Sequence, residues 1–257
     1  MGQYFSYFTE ANIEFNKYGW RPDSPNFHDE YIEFEQLLDV VGVDLRKKMP
    51  GVYNQLNIGS SVANAVASAY EFHQIKLDEN HIFIPSRLFI YYNTRLIENS
   101  TEYDAGVQIR NTIKSLNIYG LCSETKWCYD SRLLTVRPDD RCYEQILEGS
   151  VKYNRLYQTV DSMKACLSNG LPFIFGFSIY DNFELLGPTN TILNRPNEGN
   201  SYVGGHCCLC VGFDDEKKTF IIRNSFGIKW GDKGHFHMSY DYVADANLCR
   251  DFWVITI

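Results

Sequence analysis

No stretch of this chain stays apolar for the ~18–20 residues that crossing a bilayer requires. The longest such run, Leu171 to Tyr180, has the length of a strand. Basic stripes are missing as well. The longest is Arg46-Lys47-Lys48, which reads as a solvated turn, and a net charge of −8 with a pI near 5.3 argues against a nucleic-acid partner. The first residues lack the basic and apolar regions of a secretory signal, which places the expected location inside a cell or a virion. Met1-Gly2-Gln3-Tyr4-Phe5-Ser6 does carry the Gly and Ser of a myristoylation pattern, so membrane contact is expected only if Gly2 is acylated. Internal repeats and low-complexity tracts are absent, and the composition does not indicate disorder.

Paired cysteine clusters are also lacking. The eight cysteines would permit disulfides, but a chain of 257 residues does not need them. Cys207-Cys208-Leu209-Cys210 beside His206 invites a metal reading. On a strand, however, Cys207 faces away from His206 and Cys208, and no second cluster completes a tetrahedral set. These cysteines read as small buried hydrophobes. No metal or organic cofactor is expected.

What the chain does have is apolar material, 44% of residues, and aromatics, 15%. This suits a sizeable core, strands and aromatic-lined peptide grooves. Residues 1–43 read as a polar, aromatic arm in which Gly19-Trp20-Arg21-Pro22-Asp23-Ser24-Pro25 runs extended. Ser60 to Ile75 has small and apolar residues at helical spacing, with Ser60 or Ser61 at the N-cap. Its Ala- and Val-rich first turns predict a central helix packed on all sides. Further helices are expected from Pro85-Ser86 to Leu96, Val107 to Leu116 and Asp161 to Leu167. The second half turns strand-like: Leu171 to Tyr180, His206 to Phe213, Thr219 to Asn224, Gly234 to Tyr240 and Phe252 to Ile257. Helices first and sheet second mark an α+β molecule of two lobes, roughly 55–160 and 161–257, within a domain spanning 44–257. The long loop 181–205 is of a kind that often carries function.

Three segments carry chemistry. Gln55-Leu56-Asn57-Ile58-Gly59-Ser60-Ser61 leads into the central helix, whose N-terminal dipole favours a thiolate or a developing oxyanion. The amide of residue 61 and the Gln55 side chain would make a two-donor oxyanion hole. Alone, the segment is an ordinary Gly/Ser helix entry. Gly204-Gly205-His206 starts a strand where another chain can approach closely, although a lone His there is as a rule a satisfied core residue. Asn224-Ser225-Phe226-Gly227-Ile228-Lys229-Trp230-Gly231 marks a tight loop with a buried Trp, and Asn224 would orient an imidazole by accepting its N–H.

In that order, and with His206 145 residues and Asn224 163 residues beyond Ser61, the three segments resemble the papain family of cysteine peptidases. The resemblance covers residues 43–257, and Val43-Asp44-Leu45-Arg46 looks like the start of mature enzymes. It implies a papain-like two-lobe fold with a helical lobe and a barrel-like β lobe, and a peptide or protein substrate. Residue 61 would be the nucleophile, His206 the acid and base, Asn224 its orienter and Gln55 part of the oxyanion hole. Gly106 and Gly205 would lie along the substrate chain, and Trp230 with Phe226 would wall the His–Asn pair. Three departures stand out. Ile58 replaces the family's first cysteine, Val62 an aromatic, and Phe226 a tryptophan. They resemble the disulfide-poor branch of prokaryotes and large DNA viruses.

The central departure is Ser61 where the family has cysteine. A serine hydroxyl is far less acidic than the thiol, so little peptidase activity is expected of this chain. Two origins are open: a Cys-to-Ser replacement that stops self-cleavage, or a natural serine variant acting as a peptide-binding protein or altered hydrolase. The intact Gln55, His206 and Asn224 favour the first. Residues 1–43 are then expected to act as a short propeptide across the cleft. The side-chain preference, and the choice between endo- and exopeptidase, are not legible.

Overall fold

A computed structural model of the chain describes residues 16–37, 40–78, 82–144 and 151–257. The myristoylation pattern lies outside the described residues. Helix α1, Ser61–Leu77, is buried without interruption from Ser61 to His73. Ala63, Ala65, Ala67 and Ala69 let it pack against helices on one side and strands on the other. Helix α2, Arg87–Ile97, begins after Pro85, and the Ser86 hydroxyl accepts the Phe89 N–H as its N-cap. Helix α3, Ile109–Tyr119, ends at Gly120. Helix α4, Val160–Ser168, is capped by the Thr159 side chain, and a short α5 spans Tyr240–Ala244.

Among the described residues the strands form one nine-stranded sheet. In chain order they are β1 Tyr31–Ile32, β2 Gly42–Asp44, β3 Lys152–Leu156, β4 Phe173–Tyr180, β5 Ile192–Leu193, β6 Tyr202–Asp214, β7 Thr219–Arg223, β8 His235–Ser239 and β9 Cys249–Thr256. Their spatial order is β1-β3-β9-β4-β6-β7-β8-β5, with β2 added on β6. Pairing is antiparallel except for β1 on β3 and β5 on β8. The near-continuous apolar reading of β4 and β6 has its cause here, since both are central strands. The result is an α+β, papain-like fold.

Two differences from the sequence reading bear on the site. Strand β6 begins at Tyr202, so His206 lies inside a paired strand rather than at its start. The arm is also tied into the sheet: Gly42–Asp44 pairs with Gly212–Asp214, and Tyr31–Ile32 with Arg155–Leu156. Position 43 is therefore no boundary in the hydrogen bonding.

Candidate active site

Ser61 is the first residue of α1 and is fully buried. Its hydroxyl oxygen accepts the N–H of Cys207 at 3.3 Å, which brings it beside the backbone of His206 across 145 residues of sequence. His206 has no exposed surface. Its Nε2 lies 2.8 Å from Asn224 Oδ1. That same oxygen accepts the Ser225 N–H, also at 2.8 Å. A backbone N–H can only donate, so the atom facing the ring is the amide oxygen and Nε2 must carry the hydrogen. Nδ1 is then the lone-pair nitrogen, and it has no partner among the described residues. A bare, buried imidazole nitrogen, on the residue before the one whose N–H meets the Ser61 hydroxyl, has the chemistry of a proton acceptor.

Burial pushes the imidazole pKa down to about 4. The Asn224 hydrogen bond opposes this, and the nearby Lys17 ammonium adds to it. In this state His206 is neutral near pH 7 and a weak base.

Gln55 is equally buried. Its Nε2 donates to the carbonyls of Lys17 at 3.0 Å and Ile58 at 2.9 Å, and its Oε1 accepts from the Ser225 hydroxyl. The Gln55 donor thus holds two peptide carbonyls, one of which belongs to the arm. Beyond it the arm runs on between two walls. Trp20 N–H donates to Gly205 O at 3.0 Å, Arg21 N–H to Val107 O at 3.1 Å, and Val107 N–H to Gly19 O at 2.7 Å. Tyr18 meets the His206 ring edge-on at 5.8 Å.

The structure places the remaining sequence candidates as follows. Gly205 accepts the arm's hydrogen bond directly. Gly106, at φ +65°, lies against Gly19, where a Cβ would come 2.3 Å from the Gly19 carbonyl oxygen. The hydrogen bonds to the arm are made one residue later, by Val107. Phe226 covers His206 with ring centroids 5.1 Å apart. Trp230 sits one ring further out, packing on Phe226, Phe183 and Phe236, so its support of the His–Asn pair passes through other rings.

Several contributors were not apparent from sequence. Asp104 Oδ2 accepts the Gly59 and Asn16 amides at 2.8 and 3.0 Å, tying the loop before α1 to the arm. Tyr129 OH donates to Gln55 O at 2.9 Å and bonds Ser60 Oγ at 2.6 Å. The Cys208 thiol donates weakly to Asn224 Oδ1 at 3.7 Å. Asp104 and Tyr129 act through partners far away in the chain, which no local pattern records. Cys208 was visible only through strand alternation, which puts it on the face of His206. Among the described residues no group of three or more His, Cys, Asp and Glu could hold a metal ion. Nor is any helix there long and apolar enough to cross a membrane.

A serine at a helix start, an imidazole held by a carboxamide and a buried glutamine are thus what the three sequence segments supply. The chain belongs to the papain family of cysteine proteases, whose family model matches residues 41–251. It is 44% identical over 227 residues to a peptidase C1-like protein of Acanthamoeba polyphaga mimivirus, covering 82% of this chain and 73% of that one. Xylellain, a cysteine protease from Xylella fastidiosa, is 38% identical, with a TM-score of 0.86 over 96% of this chain and 98% of its own. A digestive procathepsin L 3 of Tenebrio molitor larval midgut shares the fold. It has a TM-score of 0.67 at 16% identity, over 90% of this chain and 75% of that one.

Proposed function

We propose that this chain is a peptidase of the thiol–imidazole–amide type, held with serine at the nucleophile position and with its own arm in the substrate groove. The observation that carries the reading is the buried His206, held at Nε2 by Asn224 with Nδ1 bare, together with the Lys17 carbonyl on Gln55 Nε2. With a thiol at position 61, His206 Nδ1 takes the sulfur-bound proton and the thiolate attacks a peptide carbonyl carbon. The developing oxyanion rests on Gln55 Nε2 and the residue-61 amide. His206 returns the proton to the departing amine, and water then hydrolyses the thioester by the reverse transfers. Asn224 keeps Nε2 protonated and the ring in plane throughout.

With serine the resting ion pair does not form. A hydroxyl must be deprotonated during attack by an imidazole whose pKa is about 4, so the barrier rises. The arm adds a second block. Its carbonyl occupies the Gln55 donor, its backbone takes the hydrogen bonds of Gly205 and Val107, and it keeps His206 dry. These contacts of residues 17–21 support reading residues 1–43 as a propeptide.

The test compares peptide hydrolysis by the chain and by its Ser61→Cys variant. The variant is expected to be faster by at least about 10³-fold. Comparable rates would remove the thiol mechanism. A chain that binds peptides without cleaving them after Ser61→Cys would make it a papain-fold binding protein instead.

A further inference from the structure

Helix α2 opens on a cation. Arg87 is its first residue, at the end of the helix dipole that disfavours positive charge, and its side chain is 8% exposed. A buried guanidinium in that place needs partners, and it has them in three directions. Nε and Nη2 hold both oxygens of Glu124, at 2.9 and 2.6 Å. Nη1 donates to the Asn54 carbonyl at 3.2 Å and to Asn64 Oδ1 at 3.0 Å. The rings of Tyr53 and Tyr129 lie against the guanidinium, with centroids 4.5 and 4.0 Å from its carbon.

Asn54, Asn64 and Tyr129 each stand one step from a donor of the proposed mechanism. Asn54 precedes Gln55, and Tyr129 OH holds the Gln55 carbonyl at 2.9 Å, so the peptide units on both sides of Gln55 are fixed. Asn64 Nδ2 donates to Ser60 O at 2.9 Å and to Ser60 Oγ at 3.0 Å, and Tyr129 OH meets that Oγ at 2.6 Å. The residue before 61 is thereby fixed as well. A carbonyl only accepts and a guanidinium only donates, so a single orientation of the Asn64 amide serves both neighbours. Behind the guanidinium, Glu124 N–H donates to Ile84 O at 2.8 Å and Ser86 Oγ to Trp127 O at 2.6 Å, stitching the start of α2 to residues 124–127.

We propose that Arg87 is a positioning residue for the reaction: it clamps the 54–60 loop to the start of α1 and so holds Gln55 Nε2 and the residue-61 amide at one fixed separation. The inference rests on the peptidase reading and adds to it a residue that acts only through Asn54, Asn64 and Tyr129. The clamp needs the whole fork. One edge of the guanidinium is occupied by Glu124 while Nη1 reaches the loop and the helix together, which a lysine ammonium cannot reproduce.

The test uses the full-length Ser61→Cys/Trp20→Ala protein and two reactions of its position-61 thiol. Peptide hydrolysis passes through an oxyanion. Alkylation by iodoacetamide, in which the sulfur displaces iodide from carbon, does not. Adding Arg87→Ala should lower kcat by about 10–10²-fold, the scale of a displaced catalytic group, with KM little changed. Alkylation at position 61, followed by mass spectrometry of its peptide, should change by less than about threefold, since it uses no oxyanion donor. Arg87→Lys should stay at least about fivefold below the parent, and it repeats the comparison should Arg87→Ala fail to fold. An unchanged kcat in Arg87→Ala, full activity in Arg87→Lys, or a loss of alkylation as large as the loss of kcat overturns the inference.

A second readout is independent of catalysis. With Ser61 retained, Arg87→Ala or Arg87→Lys should speed hydrogen exchange of the Gln55 side-chain amide and of the residue-61 N–H by about tenfold or more, as NMR would show. The amides of Cys207, Cys208 and Cys210 in β6 should keep their rates. Should the Ser61→Cys proteins cleave nothing, the peptidase reading fails while this exchange result still decides the clamp. Unchanged exchange at Gln55, or equal acceleration in β6, overturns it.

Discussion

At the scale of single residues, the site is a matter of which nitrogen is bare. Asn224 Oδ1 is fixed as an acceptor by the Ser225 N–H, which leaves His206 Nδ1 as the lone-pair nitrogen and, in the proposed mechanism, the base. Replacing Asn224 by Ala in the Ser61→Cys chain should lower kcat/KM by about 10²–10⁴-fold through loss of tautomer and ring orientation. Gln55→Ala should lower kcat by about 10²–10³-fold, as loss of an oxyanion donor does. Steady-state kinetics separate the two, because the first also changes the pH profile. Gln55 was picked out by its place six residues before Ser61, and the other three positions were legible as candidates because each sits in its own local punctuation. Gly59-Ser60 precedes a helix, Gly204-Gly205 precedes the histidine, and Gly227 and Gly231 follow the asparagine. Lys17, Asp104 and Tyr129 were not, since what each does is defined by a partner about forty to ninety residues away.

At the scale of elements, the arm is the part whose behaviour depends on pH, through two groups of opposite sign. Asp23 is wedged between Arg155, Asp251, Trp253 Nε1 and the Arg110 amide, and burial with the Asp251 charge raises its pKa to about 6. A raised carboxyl favours the docked arm most at low pH, and that contribution fades as pH rises through about 6. His206 works the other way. Covered by the arm, it has a pKa of about 4, against an ordinary 6.5, so docking is favoured above 6.5 and weakens as pH falls toward 4. The two offset each other over most of this window, and single variants should expose each. Asp23→Asn leaves the His206 dependence, so arm release, followed by limited proteolysis in the Ser61 chain, should increase on acidification. His206→Gln leaves the Asp23 dependence, and release should increase on raising the pH. The same slope in both variants would contradict the account. An arm woven into the sheet was not foreseen, because β1 and β2 are two and three residues long and acquire strand form only from their partners β3 and β6.

At the scale of the whole molecule, one buried helix against one sheet sets the spacing on which the site depends. The alternation of small residues along α1 was readable in sequence, and its burial from Ser61 to His73 is the consequence. Ala67, with no exposed surface, has no room to grow. Ala67→Leu should destabilise the fold by about 1–3 kcal/mol and lower the thermal midpoint by several degrees, as calorimetry would show. It should also widen the gap between residue 61 and His206, with a loss of activity in the Ser61→Cys background.

The most direct measurement of the central claim is casein hydrolysis by three full-length proteins side by side: the chain as it stands, Ser61→Cys, and Ser61→Cys with Trp20→Ala. The expected order is no detectable cleavage, slow cleavage and fast cleavage, because the thiol restores the chemistry and loss of the indole loosens the arm. Equal rates for the chain as it stands and for Ser61→Cys with Trp20→Ala would contradict it.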